Sequence, residues 1–266
     1  MIGYNINSLG GNAKIPDRLV YNKLFSSHDD FSAIKVHTRC ARVRTLLWPT
    51  ERDPVETPWL HVPFNAVEVE QISTYIKNCP LPMEVAIGPL WEADWMVQEG
   101  LVDVKPDNPF ATAKEVADAL LACVESILSA LASVSGHLDL YNEFEPTYQP
   151  RQKEVMETYY PRALAACRAA GVRCTVSAIV DPNGNCGRAT AAMDWLVSHG
   201  GLTDFLELHP NGLTNFNGFI DNAINFYYYF ASPWKIGECD VDMTLDQLSR
   251  LSSLHNRGLE EILLWV

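Results

Sequence analysis

The sequence predicts an α/β protein, a (β/α)8 TIM barrel forming a single domain over residues 1–266. Three observations lead there. Short apolar segments rich in Val, Ile, Leu and Tyr alternate with longer stretches of helical period along the whole chain. Eight such strand candidates can be counted, the number a closed barrel needs. The 266 residues, 47% hydrophobic and 20% charged, suit one large globular unit with a sizeable core.

The first candidate strand is Ile2–Ile6. The following "SLGGN" is faintly like the glycine-rich turn of an open doubly wound sheet but lacks its G-x-G-x-x-G spacing, so the open sheet is the weaker alternative. Ala41–Leu47 is the second strand, and Val67, Ile72 and Ile76 of "AVEVEQISTYIKNC" are expected to share a helix face. Met83–Gly88 is the third. After it comes the clearest helix, "ATAKEVADALLACVESILSALASV", in which Thr112 and Glu115 read as a capping box. Leu138–Tyr141 is the fourth strand; the helix after it contains Pro161, a potential kink, and stops at Gly171.

Cys174–Ile179 is the fifth strand, followed by the helical "TAAMDWLVSHGG". Phe205–Leu208 is the sixth, and the aromatic run "NFYYYF" reads as the core face of the next helix. Lys235–Gly237 and Ile262–Trp265 are the seventh and eighth, separated by the helical "LDQLSRLSSLHNRG". The pattern ends on that strand, so an eighth helix is absent and the native chain is left room to continue past Val266.

A net charge of −13 argues against nucleic acid as a partner, because an acidic surface repels phosphate backbones. The longest apolar stretch, near Leu120 to Val134, is interrupted by Glu125 and serines, so no membrane span is expected. The start, "MIGYNINSLGG", lacks the basic and apolar parts of a secretion signal; the protein is expected to remain inside a cell or to have lost such a signal. The seven cysteines are scattered without a CxxC pair, which favours reduced, mostly buried thiols over disulfides, with Cys186 in "DPNGNCGR" the most exposed. No cofactor and no metal are expected.

In a barrel of this type the chemistry sits at the C-terminal strand ends. Read in order, those ends carry Asn5, Arg44 and Trp48, Trp91, Asn142 and Glu143, His209, Glu238 and Trp265, while the fifth offers Ser177 and Asp181. Glu143 and Glu238 close the fourth and seventh strands and are 238 − 143 = 95 residues apart, enough for three βα units between them. Two carboxyl groups facing each other across a barrel mouth suit hydrolysis of a glycosidic bond, where one protonates the departing oxygen and the other attacks or activates water.

These segments resemble those of clan A glycoside hydrolases. "LYNEFEP" resembles the Asn-Glu-Pro end of the clan's fourth strand, and "KIGECD" its seventh strand. The resemblance implies Glu143 as general acid/base, Glu238 as nucleophile and Asn142 as a partner of the sugar 2-hydroxyl. "ARVRTLLWP" resembles the second strand, implying that Arg44 keeps the nucleophile ionised. "LELHPNG" resembles the sixth, giving His209, and "ILLWV" the eighth, giving Trp265 as a floor under the sugar, often before a non-proline cis peptide. A carbohydrate is thus the implied substrate and retaining hydrolysis the implied reaction.

Two departures stand out. "FE" is inserted after Glu143, so that Glu145 rather than Glu143 precedes Pro146, and Asn211 stands near the place of the clan's strand-six tyrosine. Glu143 is still expected to be the acid, because the Asn-Glu pair is intact and Glu145 would face elsewhere on a continuing strand. Trp48, Trp91 and Trp95 are expected to stack on sugar rings, and Trp195 to lie in the core. Arg42 and Arg44 share one strand face, Glu207 and His209 another, so a buried ion pair competes for Arg44. Two other functions stay open at this point: a non-catalytic barrel binding a glycan or protein, and a metal site built from Glu143, His209, Glu238 and Asp240.

Overall fold

The computed structural model of the chain describes residues 2–5, 40–47, 50–52, 59–61, 63–79, 81–87, 112–147, 150–239 and 244–265. Its barrel strands are β1 (Ile2–Asn5), β2 (Cys40–Leu47), β3 (Met83–Ile87), β4 (His137–Asp139), β5 (Arg173–Thr175 and Ser177–Ile179), β6 (Leu206–His209), β7 (Trp234–Cys239) and β8 (Leu259–Trp265). All pair in parallel, β1 lying between β8 and β2. The two ends of the hydrogen-bonded order are the two segments of β5: the first pairs with β4 and the second with β6. Only Val176 separates those segments, so the sheet closes on itself and the ring is a barrel.

The described helices are α1 (Ala66–Asn78), α2 (Ala113–Ser133), α3 (Pro150–Ala170), α4 (Gly187–Ser198), α5 (Phe216–Phe230) and α6 (Leu245–Ser252), the last continued by a short 3-10 turn at Ser253–Arg257. Local chemistry sets their starts. Asn65 with Glu68, Thr112 with Glu115 and Thr244 with Gln247 form capping boxes, each side chain satisfying a backbone N–H that the first turn leaves unpaired. The helix α3 runs through Pro161 and ends at Gly171, whose φ of 68° lies in the left-handed region that glycine enters without a Cβ clash. By length and apolarity α2 could cross a membrane, but Val116, Leu120, Val124, Ile127 and Leu131 are buried between α1 and α3, the signature of a core helix.

Some expectations need correction. Val67 is 62% exposed while Ile72 and Ile76 are buried, because five residues turn a helix about 500°, which leaves Val67 about 140° from Ile72. Tyr228 and Tyr229 are 65% and 66% exposed, so within "NFYYYF" the core side is Phe226, with Tyr227 and Phe230 partly buried against it. Cys186 is buried beneath its loop, and burial lifts its thiol pKa to about 12. An antiparallel hairpin, Thr50–Arg52 with Trp59–His61, follows β2 and was not foreseen. Trp195 is buried, as expected, edge-on to Phe144 and stacked on His199.

Since α2 supplies so much of the helical layer, truncating it tests the packing. Leu120→Ala should cost about 2–5 kcal/mol, lowering the urea midpoint with the slope unchanged; a midpoint within error of the parent would refute the assignment of Leu120 to the core.

Candidate active site

Strand register sets the backbone positions of the candidate residues. Asn5 pairs with Arg44, Arg44 with Glu84, Asp139 with Thr175, and Ile179 with His209. Arg44 on β2 is 1% exposed and sits at the centre. Its Nη1 donates to Oε1 of Glu238 at 2.6 Å, its Nη2 to Oδ2 of Asp139 at 2.9 Å and its Nε to Oε1 of Glu84 at 3.1 Å. Its Nη2 also donates to Oδ1 of Asn142, and Oε1 of Glu207 lies 3.3 Å from its Nε. Burial alone would lower the guanidinium's pKa; Glu238, Glu207 and Asp139 together raise it above its ordinary value, so Arg44 stays charged. The expected buried ion pair with Glu207 and the expected contact with Glu238 therefore coexist.

The segment after β4 is shaped by Ser177. The Glu143 N–H donates to Oγ of Ser177 at 2.8 Å, and the Phe144 N–H to its carbonyl at 2.9 Å. Ser177 Oγ in turn donates to Oδ2 of Asp139 at 2.7 Å. These bonds hold Glu143 at φ 58°, a left-handed conformation costing a non-glycine residue roughly 1–2 kcal/mol. The insertion has a clear physical role: Phe144 is 1% exposed and packs on Trp195, while Glu145 turns to an ion pair with Arg188 of α4. Glu143 is the carboxyl left facing Glu238.

His209 joins the two sides. Its Nδ1 lies 3.0 Å from Oε1 of Glu143 and 3.8 Å from Oε1 of Glu238, and its Nε2 lies 3.1 Å from Oε1 of Glu207. One carboxyl oxygen of Glu143, one of Glu238 and a nitrogen of His209 all fall within 4.8 Å of one another. Full burial, with the Arg44 charge beside it, holds His209 well below the usual imidazole pKa and thus neutral. Asn211, two residues on, donates from Nδ2 to Oε2 of Glu238 at 3.2 Å. Glu143 and Glu238 are 7% and 5% exposed.

Below this layer lies a second one. Lys235 on β7 pairs with Glu84 and lies 3.1 Å from Oε2 of Glu207, over the ring of Phe205. Arg42 binds Glu261 at 3.2 Å and faces His137. Sequence reading missed Glu84, Asp139, Glu261 and Lys235 as parts of the site. The available signal was charge inside segments read as buried strands: "MEVAI", "HLD", "LELH" and "WKIGEC" each carry an ionisable residue where an isolated charge would be costly.

Two groups have the donor types of a metal site, Asp139 with Glu207 and His209, and Glu143 with His209 and Glu238. Both fit a cation poorly. Arg44 already donates to Asp139 and Glu238, and a second fixed positive charge beside that guanidinium would be repelled. Asn5 and Trp265 lie paired in the backbone of β1 and β8, with side chains outside the described residues. Trp48, Trp91 and Trp95, Asp240, and the Trp265–Val266 peptide likewise fall outside the described residues.

No family model matches the chain, and no curated protein matches it. Solved structures do. A glycoside hydrolase family 53 catalytic domain from Ignisphaera aggregans is 10% identical with a TM-score of 0.61, covering 99% of this chain and 83% of its own. A beta-1,4-mannanase of family 113 is 11% identical at a TM-score of 0.58, covering 99% and 87%. A psychrophilic family 10 endo-beta-1,4-xylanase is 13% identical at 0.57, covering 100% and 86%. At such identities the likeness establishes the shared barrel fold.

Two outcomes follow from the charge layout. Arg44→Met should destabilise the protein by about 3–5 kcal/mol in urea unfolding at neutral pH, because four carboxyl groups lose their common cation; an unchanged midpoint would remove Arg44 from the centre of the network. His137 is pushed down to about 3 by burial, with Arg42 and Arg173 adding to it, so the folded protein keeps it neutral. The unfolded chain takes up that proton below about pH 6.5. The stability His137 contributes is therefore present above pH 6.5 and lost as pH falls from there towards 3. Urea midpoints across that range should fall less steeply for His137→Asn than for the parent; parallel curves would refute the assignment.

Proposed function

We propose that this chain is a retaining glycoside hydrolase acting on a polysaccharide by double displacement. The observation that carries the proposal is the approach of Glu143 and Glu238, with nearest ligand-type oxygens within 4.8 Å, on the ends of β4 and β7. Carboxyl groups about 5–5.5 Å apart suit a direct attack on the anomeric carbon, whereas inversion needs a wider gap for water. In this reading Glu238, oriented by Arg44 and Asn211, attacks the anomeric carbon and forms a glycosyl ester. Glu143 gives its proton to the departing oxygen. Glu143 then takes a proton from water as that water attacks the same carbon and frees Glu238. One glycosidic bond and one water are consumed, and both side chains return to their starting states.

The remaining roles belong to the same proposal. Asn142, whose Oδ1 accepts from Arg44, is proposed to meet the 2-hydroxyl of the reacting sugar. His209 supports Glu143. Trp265, Asn5, Trp48 and Trp91 are proposed to contact the sugar chain. The structural relatives include a beta-1,4-xylanase, a beta-1,4-mannanase and a beta-1,4-glucanase, and this supports beta-1,4-linked polysaccharides as the first substrates to try.

Glu143→Gln and Glu238→Gln should each lower kcat by at least about a hundredfold on such a substrate, and proton NMR of the first-formed product should show the anomeric configuration of the starting glycan. Near-parent activity in either variant would dismiss its assigned role, and an inverted product would dismiss the double displacement.

A further inference from the structure

We propose that Glu207 is a positioning residue that works as a buried carboxylic acid, its O–H donating to Nε2 of His209 and so fixing the imidazole as the Nδ1–H tautomer aimed at Glu143. What this does for catalysis rests on the glycosidase reading; the tautomer itself does not.

A neutral imidazole has one N–H and one lone pair. Both nitrogens of His209 lie at hydrogen-bond distance from a carboxyl oxygen, Nδ1 at 3.0 Å from Glu143 and Nε2 at 3.1 Å from Glu207. Two ionised carboxylates would need two N–H groups. With a neutral ring, one carboxyl must bring the missing hydrogen. The fully buried site and the nearby Arg44 charge disfavour an imidazolium.

Counting donors shows which buried carboxyl is least able to stay ionised. Asp139 accepts from the Ser177 N–H and Oγ, the Tyr141 N–H and Arg44. Glu238 accepts from Arg44 and Asn211, and Glu84 from Arg44 and Lys235. Glu207 has no such support. The single hydrogen on Arg44 Nε goes to Glu84, and Lys235 Nζ, 3.1 Å from Oε2, lies at an angle that makes no hydrogen bond, leaving Oε2 without one. An ionised carboxylate without donors is costly to bury, whereas a neutral acid is far less so.

Charge counting agrees. Arg44 and Lys235 face four buried carboxyl groups, Glu84, Asp139, Glu207 and Glu238, an excess of two negative charges if all ionise. The groups facing Glu207 are Arg44 from β2, Asp139 from β4, His209 from its own strand, Lys235 and Glu238 from β7, and Glu261 from β8, with Glu84 of β3 across Lys235. Burial, then Asp139, push its pKa well above the ordinary carboxylate range; Arg44 opposes them, and Glu238 and Glu261 add to the rise.

The consequence concerns where Glu143 keeps its proton. With Nδ1–H as donor, Oε1 of Glu143 accepts, and the acid proton is left for the other oxygen and the leaving group. In the opposite tautomer the Nδ1 lone pair would take the Glu143 O–H and turn the proton away from the glycosidic oxygen. The same Nδ1–H also supports the Glu143 carboxylate in the second half of the reaction.

The test uses NMR of the whole chain labelled with 15N at histidine, at mildly acidic to neutral pH and without substrate. His209 should show a protonated Nδ1 and an unprotonated, hydrogen-bonded Nε2. A protonated Nε2, alone or with Nδ1, would overturn the proposal, whatever the protein hydrolyses. Kinetics form the second arm. Glu207→Gln, whose amide N–H can replace the O–H, should keep the Nδ1–H signal and restore most of kcat. Glu207→Met, of similar length without a donor, should lower kcat by about a hundredfold with little change in KM. Equal loss in both variants would overturn the positioning role, and if Glu207→Met does not fold, the parent and Glu207→Gln spectra still decide.

Discussion

Among the described residues, the charged side chains of the candidate site are arranged around Arg44. One guanidinium lies within 3.3 Å of four carboxyl groups from four different strands. Its planar fork suits this, since five N–H groups in fixed directions can serve several acceptors at once, as a lysine ammonium could not. Without it, Glu84, Asp139, Glu207 and Glu238 would face one another in a dry interior, where like charges repel strongly. The fold and the chemistry therefore share one constraint. The guanidinium that lets four carboxyl groups converge also holds Oε1 of Glu238 in place, the oxygen proposed to attack.

The second constraint is geometric. Glu143 must leave β4 and turn towards Glu238, and the chain achieves this by running residues 140–144 between its neighbours. The Leu140 N–H bonds the carbonyl of Thr175, the Asn142 N–H that of Ile87, and the Glu143 and Phe144 N–H groups bond Ser177. Phe144 then anchors the turn in the apolar layer against Trp195. A left-handed glutamate is tolerated because so many backbone groups hold it there. Packing energy from a buried phenyl ring is thus converted into the placement of a carboxyl group.

How much of this could be read from the sequence depends on the kind of signal. Strand–helix alternation is local, so the eight barrel strands and the capped start of α2 were legible, with edges off by up to three residues. Glu143, Glu238, Arg44, Asn142 and His209 were legible because each ends a strand or lies near its end. The deeper layer was not. Lys235 and Glu84 are 151 positions apart and meet only once the barrel closes, and nothing in either segment names its partner. Helix faces misled where the window was short: the exposed Tyr228 and Tyr229 follow the apolar Phe226, and composition alone cannot tell which way the turn carries them. Cys186 misled for a similar reason, since a polar loop sequence says nothing about what lies above it.

The chain's departure at Asn211 shows how the two constraints divide the work. The resemblance called for a phenol at this place, a group able to both donate and accept; the chain has an amide that donates from Nδ2 to Oε2 of Glu238. Reversing the amide would set Oδ1 against a carboxylate, so its orientation is fixed by charge, and Oδ1 is left buried without a hydrogen bond. That unpaired oxygen costs stability, yet the arrangement gives Glu238 a donor on each oxygen, Arg44 on Oε1 and Asn211 on Oε2. A carboxylate held at both oxygens cannot rotate about its last bond without losing one of them. The Glu143 side is held differently. In the proposed arrangement Glu143 leans on a neutral imidazole whose own hydrogen is set by a carboxyl group further in. One glutamate is fixed by permanent charge and a non-titrating amide, the other by a chain of groups that can each hold or release a proton, and in the proposed reaction that asymmetry lets a pair of otherwise identical side chains play two different parts.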